Sequence, residues 1–279
     1  MSLKFTVDVL SFLCSATLLL FVVVFDSRSV WAVFSGGAIF TGFTLRNAAN
    51  DRAKNVNAVK WESGFTDWFI VVKSLTSAVG VALMNIFRQE GWYTINTHII
   101  VVGFLALNIT EAVIRDVQLN LLENAITAIG LIFTLPFNPS LETISRLSIE
   151  TNKTHCFVFP LQVFWVLLYT SWNACFVFGD NMSILTMLIL IPPILLMYFG
   201  IELWLGGRVL LLLIHLILRT IQIVDIYRPG HSALTPVAGT IDNSKRVAHL
   251  WGRINLFAMC LYASFLWVSV KFQYIKLIK

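Results

Sequence analysis

Carboxylate, amide and basic side chains interrupt an otherwise apolar part of the chain at residues 106–125. Asn108, Glu111 and Arg115 are spaced so that they share one face of a helix. The same spacing recurs just beyond them, in Asn120, Glu123, Asn124 and Thr127. If the two segments form a hairpin, both faces can turn inward. Two carboxylates with several amides could then bind an ion or a polar solute, or act as general acid and base.

Arg115 and Asp116 lie where the first of these segments would end. One interpretation is topological: the pair marks a membrane interface at which the chain turns, and Arg115 neutralises Glu111. That interpretation explains Arg115 and Asp116 better than it explains the polar residues on either side. We therefore place the candidate site at Asn108, Glu111, Glu123 and Asn124.

Lys73 lies about seven residues into another apolar segment, with Ser77 and Gly80 on the same helical face. An ionisable group inside a membrane span costs about 2.5–3.5 kcal/mol on insertion scales. The side chain could extend towards the surface, or it could point inward and pair with a carboxylate such as Glu111. Small neighbouring residues are typical of interior faces.

An aromatic stripe with one amide runs along residues 164–178. Its members that recur at helical spacing are Trp165, Tyr169, Trp172, Asn173 and Phe176. Such a stripe could line a pocket for an apolar or cationic ligand, or it could be core packing combined with an interfacial aromatic belt. An amide at Asn173 would need a partner within the bundle.

His215 lies near the middle of a further apolar segment, between Arg208 and Arg219. The two arginines are near opposite ends of the segment, where their side chains could extend to the surface. A single buried histidine could be a satisfied core residue, a proton relay or a catalytic base. No second histidine follows at i+4, and the four cysteines form no CxxC pair. We therefore expect neither a metal site nor a cofactor.

The composition places these residues in a membrane protein. The chain has 57% hydrophobic and 13% charged residues, about half the charge of an ordinary soluble protein. Its mean hydropathy is +0.79. A net charge of +5, spread over short connections, indicates lipid headgroups rather than nucleic acid as the charged partner. We predict an all-α, polytopic integral membrane helix bundle that forms one domain over residues 1–279.

A membrane helix needs about 20 mostly apolar residues. Nine segments qualify, at 8–25, 28–45, 66–87, 97–115, 119–137, 157–178, 183–203, 205–224 and 247–270. The second is short and rich in glycine, so eight or nine transmembrane helices are expected. The fourth and fifth must form a tight antiparallel hairpin. The Lys and Arg distribution favours a cytoplasmic N-terminus.

The remaining polar stretches are predicted to be loops, and one pair of prolines is predicted to break a helix. Residues 46–63, 138–155 and 225–246 have the composition of surface connections. Pro192 and Pro193 fall inside the seventh segment, where they predict a kink or a broken helix.

Three segments together resemble a family of mostly bacterial multi-pass membrane proteins known only as a domain of unknown function. They are WFIVVKSLTSAVG (68–80), LNITEAVIRDVQ (107–118) and FWVLLYTSWNACFVF (164–178). The resemblance rests on an E-x-x-x-R-D run and a Y-x-x-W-N run, and it extends from the third span onward. The connection after Asp116 is shorter here than in the family pattern. The resemblance implies an all-helical membrane fold and carries no activity.

Two classes of function fit these residues. The first is a transporter or channel for a small solute or ion, indicated by Lys73, Glu111, Glu123 and His215 inside predicted spans. The second is a membrane-embedded enzyme acting on a lipid-like or isoprenoid substrate, with carboxylates as acid and base and aromatic faces around a cationic intermediate. A non-catalytic membrane subunit is a third interpretation. We rank transport first, because no carboxylate pair has a spacing diagnostic of catalysis.

Overall fold

The computed structural model describes residues 67–87, 92–154, 157–180, 187–213, 215 and 241–278. Within those ranges the chain is helical and contains no β-strand, so the all-α prediction is confirmed there. The predicted spans 8–25 and 28–45 and the predicted loop 46–63 lie outside the described residues. The helices are α1 (Asp67–Phe87), α2 (Ile95–Gln118), α3 (Leu122–Phe133), α4 (Leu141–Thr154), α5 (Val163–Gly179), α6 (Ile191–Leu196), α7 (residues 204–213) and α8 (Ile241–Ile278).

The predicted hairpin between the fourth and fifth segments is confirmed as the connection from α2 to α3. The backbone N–H of Leu121 donates to the carbonyl of Asp116 at 2.8 Å, and that of Asn120 donates to Val117 at 3.0 Å. This pair of bonds is the Schellman helix ending, which needs one left-handed residue. Asn120 supplies it with φ of 64°, because asparagine tolerates that conformation better than most residues.

The prediction that residues 138–155 form a loop is wrong, because most of them form α4. The Ser140 hydroxyl accepts the backbone N–H of Thr143 at 3.1 Å and caps the helix. Ile144, Leu147 and Thr151 are buried on one face, which makes α4 amphipathic rather than apolar. The predicted loop 225–246 is likewise too long, since α8 already begins at Ile241.

One predicted span is shorter than expected, and another is broken where the sequence predicts it. Residues 157–162 are not helical, so α5 begins only at Val163. In the seventh segment the prediction of a break is confirmed. Pro192 and Pro193 occupy the first turn of the six-residue helix α6, where a missing backbone N–H removes no intrahelical bond.

The core forms where α2, α3, α5 and α8 pack side by side. Among its fully buried side chains are Trp165, Trp172 and Trp204. α3 and α8 approach closely at Gly130, where an added Cβ atom would lie 2.7 Å from Cγ of Met259. The two helices can therefore approach this closely only because residue 130 has no side chain.

Gly130→Val is expected to lower the free energy of unfolding by about 1–3 kcal/mol, because the larger residue forces Met259 and the two helices to shift. Gly103→Val is the matched control, since nothing lies within 4 Å of a Cβ atom built there. Both changes remove a helical glycine, so the difference between their unfolding midpoints in detergent measures the packing cost. Equal midpoints would contradict the close contact at Gly130.

One helix in the described part of the chain, α2, is long and apolar enough to cross a membrane. Its 24 residues span about 36 Å at 1.5 Å per residue. Shorter apolar helices occur at Leu75–Phe87, Leu122–Phe133 and Val163–Gly179. A buried core helix of a soluble protein would pass the same length and composition test.

Candidate functional site

A buried ion pair joins α1 to α2. Nζ of Lys73 lies 3.1 Å from Oε2 of Glu111, and the two side chains are only 12% and 8% exposed. The same ammonium donates to the backbone carbonyl of Asn108 at 2.8 Å. The hydroxyl of Thr76 lies 3.4 Å from Oε2 of Glu111, but its shorter contact, at 3.0 Å, is with the carbonyl of Val72. Lys73 therefore points inward and pairs with Glu111, as one of the two sequence interpretations predicted.

The buried end of α7 adds a second cation. Arg208 is only 7% exposed, so the interpretation that its side chain extends to the surface is wrong. Its Nη2 lies 3.5 Å from Oδ1 of Asn173, and that amide donates in turn to the carbonyl of Tyr169 at 3.4 Å. Nε and Nη1 of Arg208 have no hydrogen-bond partner among the described residues.

A cavity lies between α1, α2 and α7, with Tyr169 of α5 at its side. The cavity is partly open, and its volume is about 40 Å³. Its lining is mainly apolar, and its polar lining residues are Thr76, Ser77, Asn108, Tyr169 and Arg208. The buried hydroxyl of Ser77 has no hydrogen-bond partner in the described part of the chain. Glu111, although close to Thr76, is not a lining residue of this cavity.

A separate polar network lies at the end of α2. Nη2 of Arg115 lies 2.9 Å from Oδ1 of Asp180, so the expected pairing of Arg115 with Glu111 is wrong. Asp116 is fully buried, and its carboxylate accepts the amide of Asn124 at 3.0 and 3.1 Å. The indole N–H of Trp172 donates to the same carboxylate at 3.2 Å. Arg115 and Asp116 are therefore buried structural groups rather than markers of an interfacial turn.

The predicted polar patch on the start of α3 divides into two parts. Asn124 turns inward to Asp116, whereas Glu123 faces α8 and remains about one quarter exposed. Oε1 of Glu123 lies 3.2 Å from Nε of Arg253, and Oε2 lies 3.3 Å from Nδ1 of His249. Glu111 and Glu123 thus pair with groups on different helices and do not form the shared site predicted from the sequence.

The aromatic stripe of α5 belongs mostly to the core. The Trp165 ring stacks on Tyr169 with centroids 5.2 Å apart, and Trp204 packs edge-on against Tyr169 at 5.1 Å. The indole N–H of Trp165 donates to the carbonyl of Leu131 at 3.1 Å. Of the stripe's aromatic residues, Tyr169 alone lines the cavity. The core-packing interpretation therefore describes Trp165 and Trp172.

The remaining candidates are His215 and Asn173, and neither lines the cavity. His215 is buried, seven residues beyond Arg208, and is not a lining residue of the cavity. Asn173 acts on the site through its contact with Arg208. The sequence interpretation missed Arg208 as a site residue. The available signal was the pair Gly206-Gly207 before it, since small residues permit the close helix approach that buries a neighbouring side chain.

His98 is a buried histidine that the sequence interpretation did not consider. Its Nε2 lies 2.7 Å from the carbonyl oxygen of Pro136, and its Nδ1 lies 3.3 Å from the Tyr93 hydroxyl. A carbonyl only accepts, so Nε2 carries the proton and Nδ1 accepts from Tyr93. Burial raises the pKa of Tyr93 above its usual range, which keeps this donor protonated. The histidine therefore has a structural role that fixes the start of α2.

Comparison with known proteins identifies no family for this chain, because no protein-family model, curated protein or solved structure matches it. The described residues define an all-helical protein with a buried ion pair beside a mainly apolar cavity.

Proposed function

We propose that the chain is a multi-pass membrane protein that moves a small solute or ion through a polar site between α1, α2 and α7. The observation that carries the proposal is the buried Lys73–Glu111 ion pair, which lies next to a cavity containing a further buried cation. Buried ionisable groups of this kind are expensive in a bilayer, and they typically mark substrate, ion or proton pathways.

The distribution of apolar side chains supports a membrane setting. Large apolar residues point outward on α2 and α8, where Leu107, Ile114, Phe257, Leu261 and Phe265 are each about half exposed or more. The buried side includes charged groups of Lys73, Glu111, Arg115 and Asp116. Soluble proteins rarely expose so many large apolar groups together. Lipid in contact with these helices would cover the outward residues.

Free hydrogen-bonding capacity near the cavity favours ligand binding over a purely structural role. Oε1 of Glu111 and the hydroxyl of Ser77 are buried and have no hydrogen-bond partner in the described ranges. An unpartnered buried polar atom costs about 1–3 kcal/mol. A polar ligand in the cavity would satisfy the Ser77 hydroxyl, because Ser77 is one of the lining residues.

Catalysis by a carboxylate pair receives less support from the same contacts. Glu111 is engaged by Lys73 and Thr76 on α1, whereas Glu123 is engaged by His249 and Arg253 on α8. General acid and base groups must reach the same substrate. The enzyme hypothesis is therefore the weaker of the two.

Uptake by reconstituted vesicles tests the proposal. The probes are labelled mannitol, choline and isethionate, which are small and respectively neutral, cationic and anionic. We expect at least one probe to enter vesicles containing the protein faster than protein-free vesicles. Glu111→Gln is expected to slow that uptake about 10-fold, because the change removes the charge that neutralises Lys73.

Glu142→Gln is the matched control for this assay, since Glu142 is an exposed glutamate at the start of α4. Vesicles that contain this variant should take up the probes at the same rate as vesicles that contain the unmodified protein. If all three probes enter the protein-containing and the protein-free vesicles at the same rate, the transport proposal is wrong.

A further inference from the structure

We propose that the cavity beside Arg208 binds a small organic monoanion, with an oxyanion head at the guanidinium and a short apolar tail along the helices. This inference names the substrate class of the site and rests on the proposed function. Three features carry it: the balance of buried charge, the free donors at one end of the cavity, and the apolar character of the rest.

The buried charges around the cavity are not balanced. Lys73 and Arg208 are both cationic, and Arg208 lies close enough to act electrostatically on Lys73. Glu111 already pairs with Lys73. Among the described residues no carboxylate lies within ion-pair distance of Arg208, so its buried positive charge has no counter-charge in that part of the chain. A buried charge without a counter-charge is strongly unfavourable, and one bound monoanion would neutralise it.

The free donors suit an oxyanion. The N–H groups on Nε and Nη1 of Arg208 have no partners in the described ranges. A planar guanidinium matches the geometry of carboxylate, sulfonate and phosphate groups. The unpartnered hydroxyl of Ser77 lines the same cavity and can donate as well. Charge-assisted hydrogen bonds of this type are about twice as strong as neutral ones. The cavity therefore offers an oxyanion both charge and donors.

The remaining wall of the cavity is apolar. It is formed by Leu83, Met84, Val101, Phe104, Leu105, Leu205, Val209 and Leu212. A bare inorganic anion would leave these side chains without contact. An alkyl tail would be removed from water, and each buried CH₂ group would favour binding by about 0.8 kcal/mol. The favoured occupant therefore has an anionic head and a short hydrocarbon tail.

Isothermal titration calorimetry on the purified protein in a nonionic detergent tests this assignment. The measured quantity is the affinity of each probe for the protein. The probes are hexanesulfonate, which is permanently anionic, and hexyltrimethylammonium, which has the same tail and a permanent positive charge. We expect hexanesulfonate to bind at least about 10-fold more tightly, because a hydrogen bond to a charged group contributes about 1.5–3 kcal/mol. Equal affinities for the two probes would overturn the proposal without any variant being made.

Arg208→Gln is expected to weaken hexanesulfonate binding by about 10- to 100-fold, through the loss of the charged donors. Arg146→Gln is the matched control, because Arg146 is 63% exposed and pairs with Glu202. If Arg208→Gln does not give a folded protein, Ser77→Ala replaces it, with an expected weakening of about 3- to 10-fold. Unchanged affinity in the folded variant would overturn the proposal.

A second arm of the titration separates a free acid from a lipid. Dihexanoyl phosphatidylglycerol presents a phosphate oxyanion on a two-chain lipid. Tighter binding of hexanesulfonate supports the solute assignment, and tighter binding of the lipid overturns it.

The titration uses no vesicles, so its outcome is separate from that of the uptake assay. Binding that depends on Arg208 without any uptake would contradict transport and would support the anion site. Uptake of choline without anion binding would contradict the anion site and leave transport intact.

Discussion

Arg115→Gln is expected to lower the free energy of unfolding by about 3–5 kcal/mol. The guanidinium lies 2.9 Å from the carboxylate of Asp180, and the two side chains are only 9% and 2% exposed. Removing one partner of a buried ion pair leaves the other charge buried without this counter-charge, which is more costly than the pair itself is favourable. The effect should therefore exceed that of losing an ordinary hydrogen bond.

A comparison of variants separates this effect from a general loss of packing. The double variant Arg115→Gln with Asp180→Asn is expected to recover part of the lost stability, because no uncompensated charge remains between the two residues. Arg146→Gln should change stability by less than about 1 kcal/mol, since its pairing with Glu202 is exposed. The measurement is the unfolding midpoint in detergent. A double variant less stable than Arg115→Gln alone would show that charge balance is not the dominant effect.

Asp116→Ala is expected to lower the free energy of unfolding by about 2–5 kcal/mol. The change removes the acceptor for the amide of Asn124 and for the indole N–H of Trp172. Each buried donor left without a partner costs about 1–3 kcal/mol. Relief of the desolvation of the buried carboxyl group opposes this loss and sets the lower end of the expected range.

A double-mutant cycle with Trp172→Phe isolates one of these bonds. If the indole N–H contributes as described, the effects of Asp116→Ala and Trp172→Phe should be non-additive by about 1.5–3 kcal/mol. Asp116→Asn retains a carbonyl acceptor and should therefore cost less than Asp116→Ala. Additive effects in the cycle would contradict the hydrogen bond between Asp116 and Trp172.

Helix positions could be predicted from the sequence where the apolar run was long and uniform. α1, α2 and α3 lie close to their predicted positions, and the hairpin between α2 and α3 is confirmed. α4 was missed because its buried face consists of a few apolar residues among polar ones, and a search for membrane spans disregards amphipathic helices. The late start of α5 depends on the contact between Phe159 and Glu202, which joins residues distant in sequence.

The candidate site could be predicted only in part. Helical spacing shows which residues share a face of one helix, but it does not show which other helix that face contacts. Periodicity placed Asn108, Glu111 and Arg115 on one face of α2, yet Glu111 bonds to α1 and Arg115 bonds to the end of α5. The pairing of Lys73 with Glu111 was one of two interpretations that the sequence left open, and the contact between them supports it. Arg208 was missed, because its proximity to a helix end suggested an exposed side chain.

The three-residue turn between α2 and α3 determines how α3 is rotated about its own axis relative to α2. Each residue advances an α-helix by about 100°, so the length of the turn decides which side chain faces Asp116. With Leu119, Asn120 and Leu121 in the turn, that side chain is the neutral donor Asn124. One extra residue would present Glu123 instead and oppose two carboxylates in the core. One fewer would present Ala125, which has no side-chain donor. The identity of a buried hydrogen bond is thus set by the length of a three-residue turn.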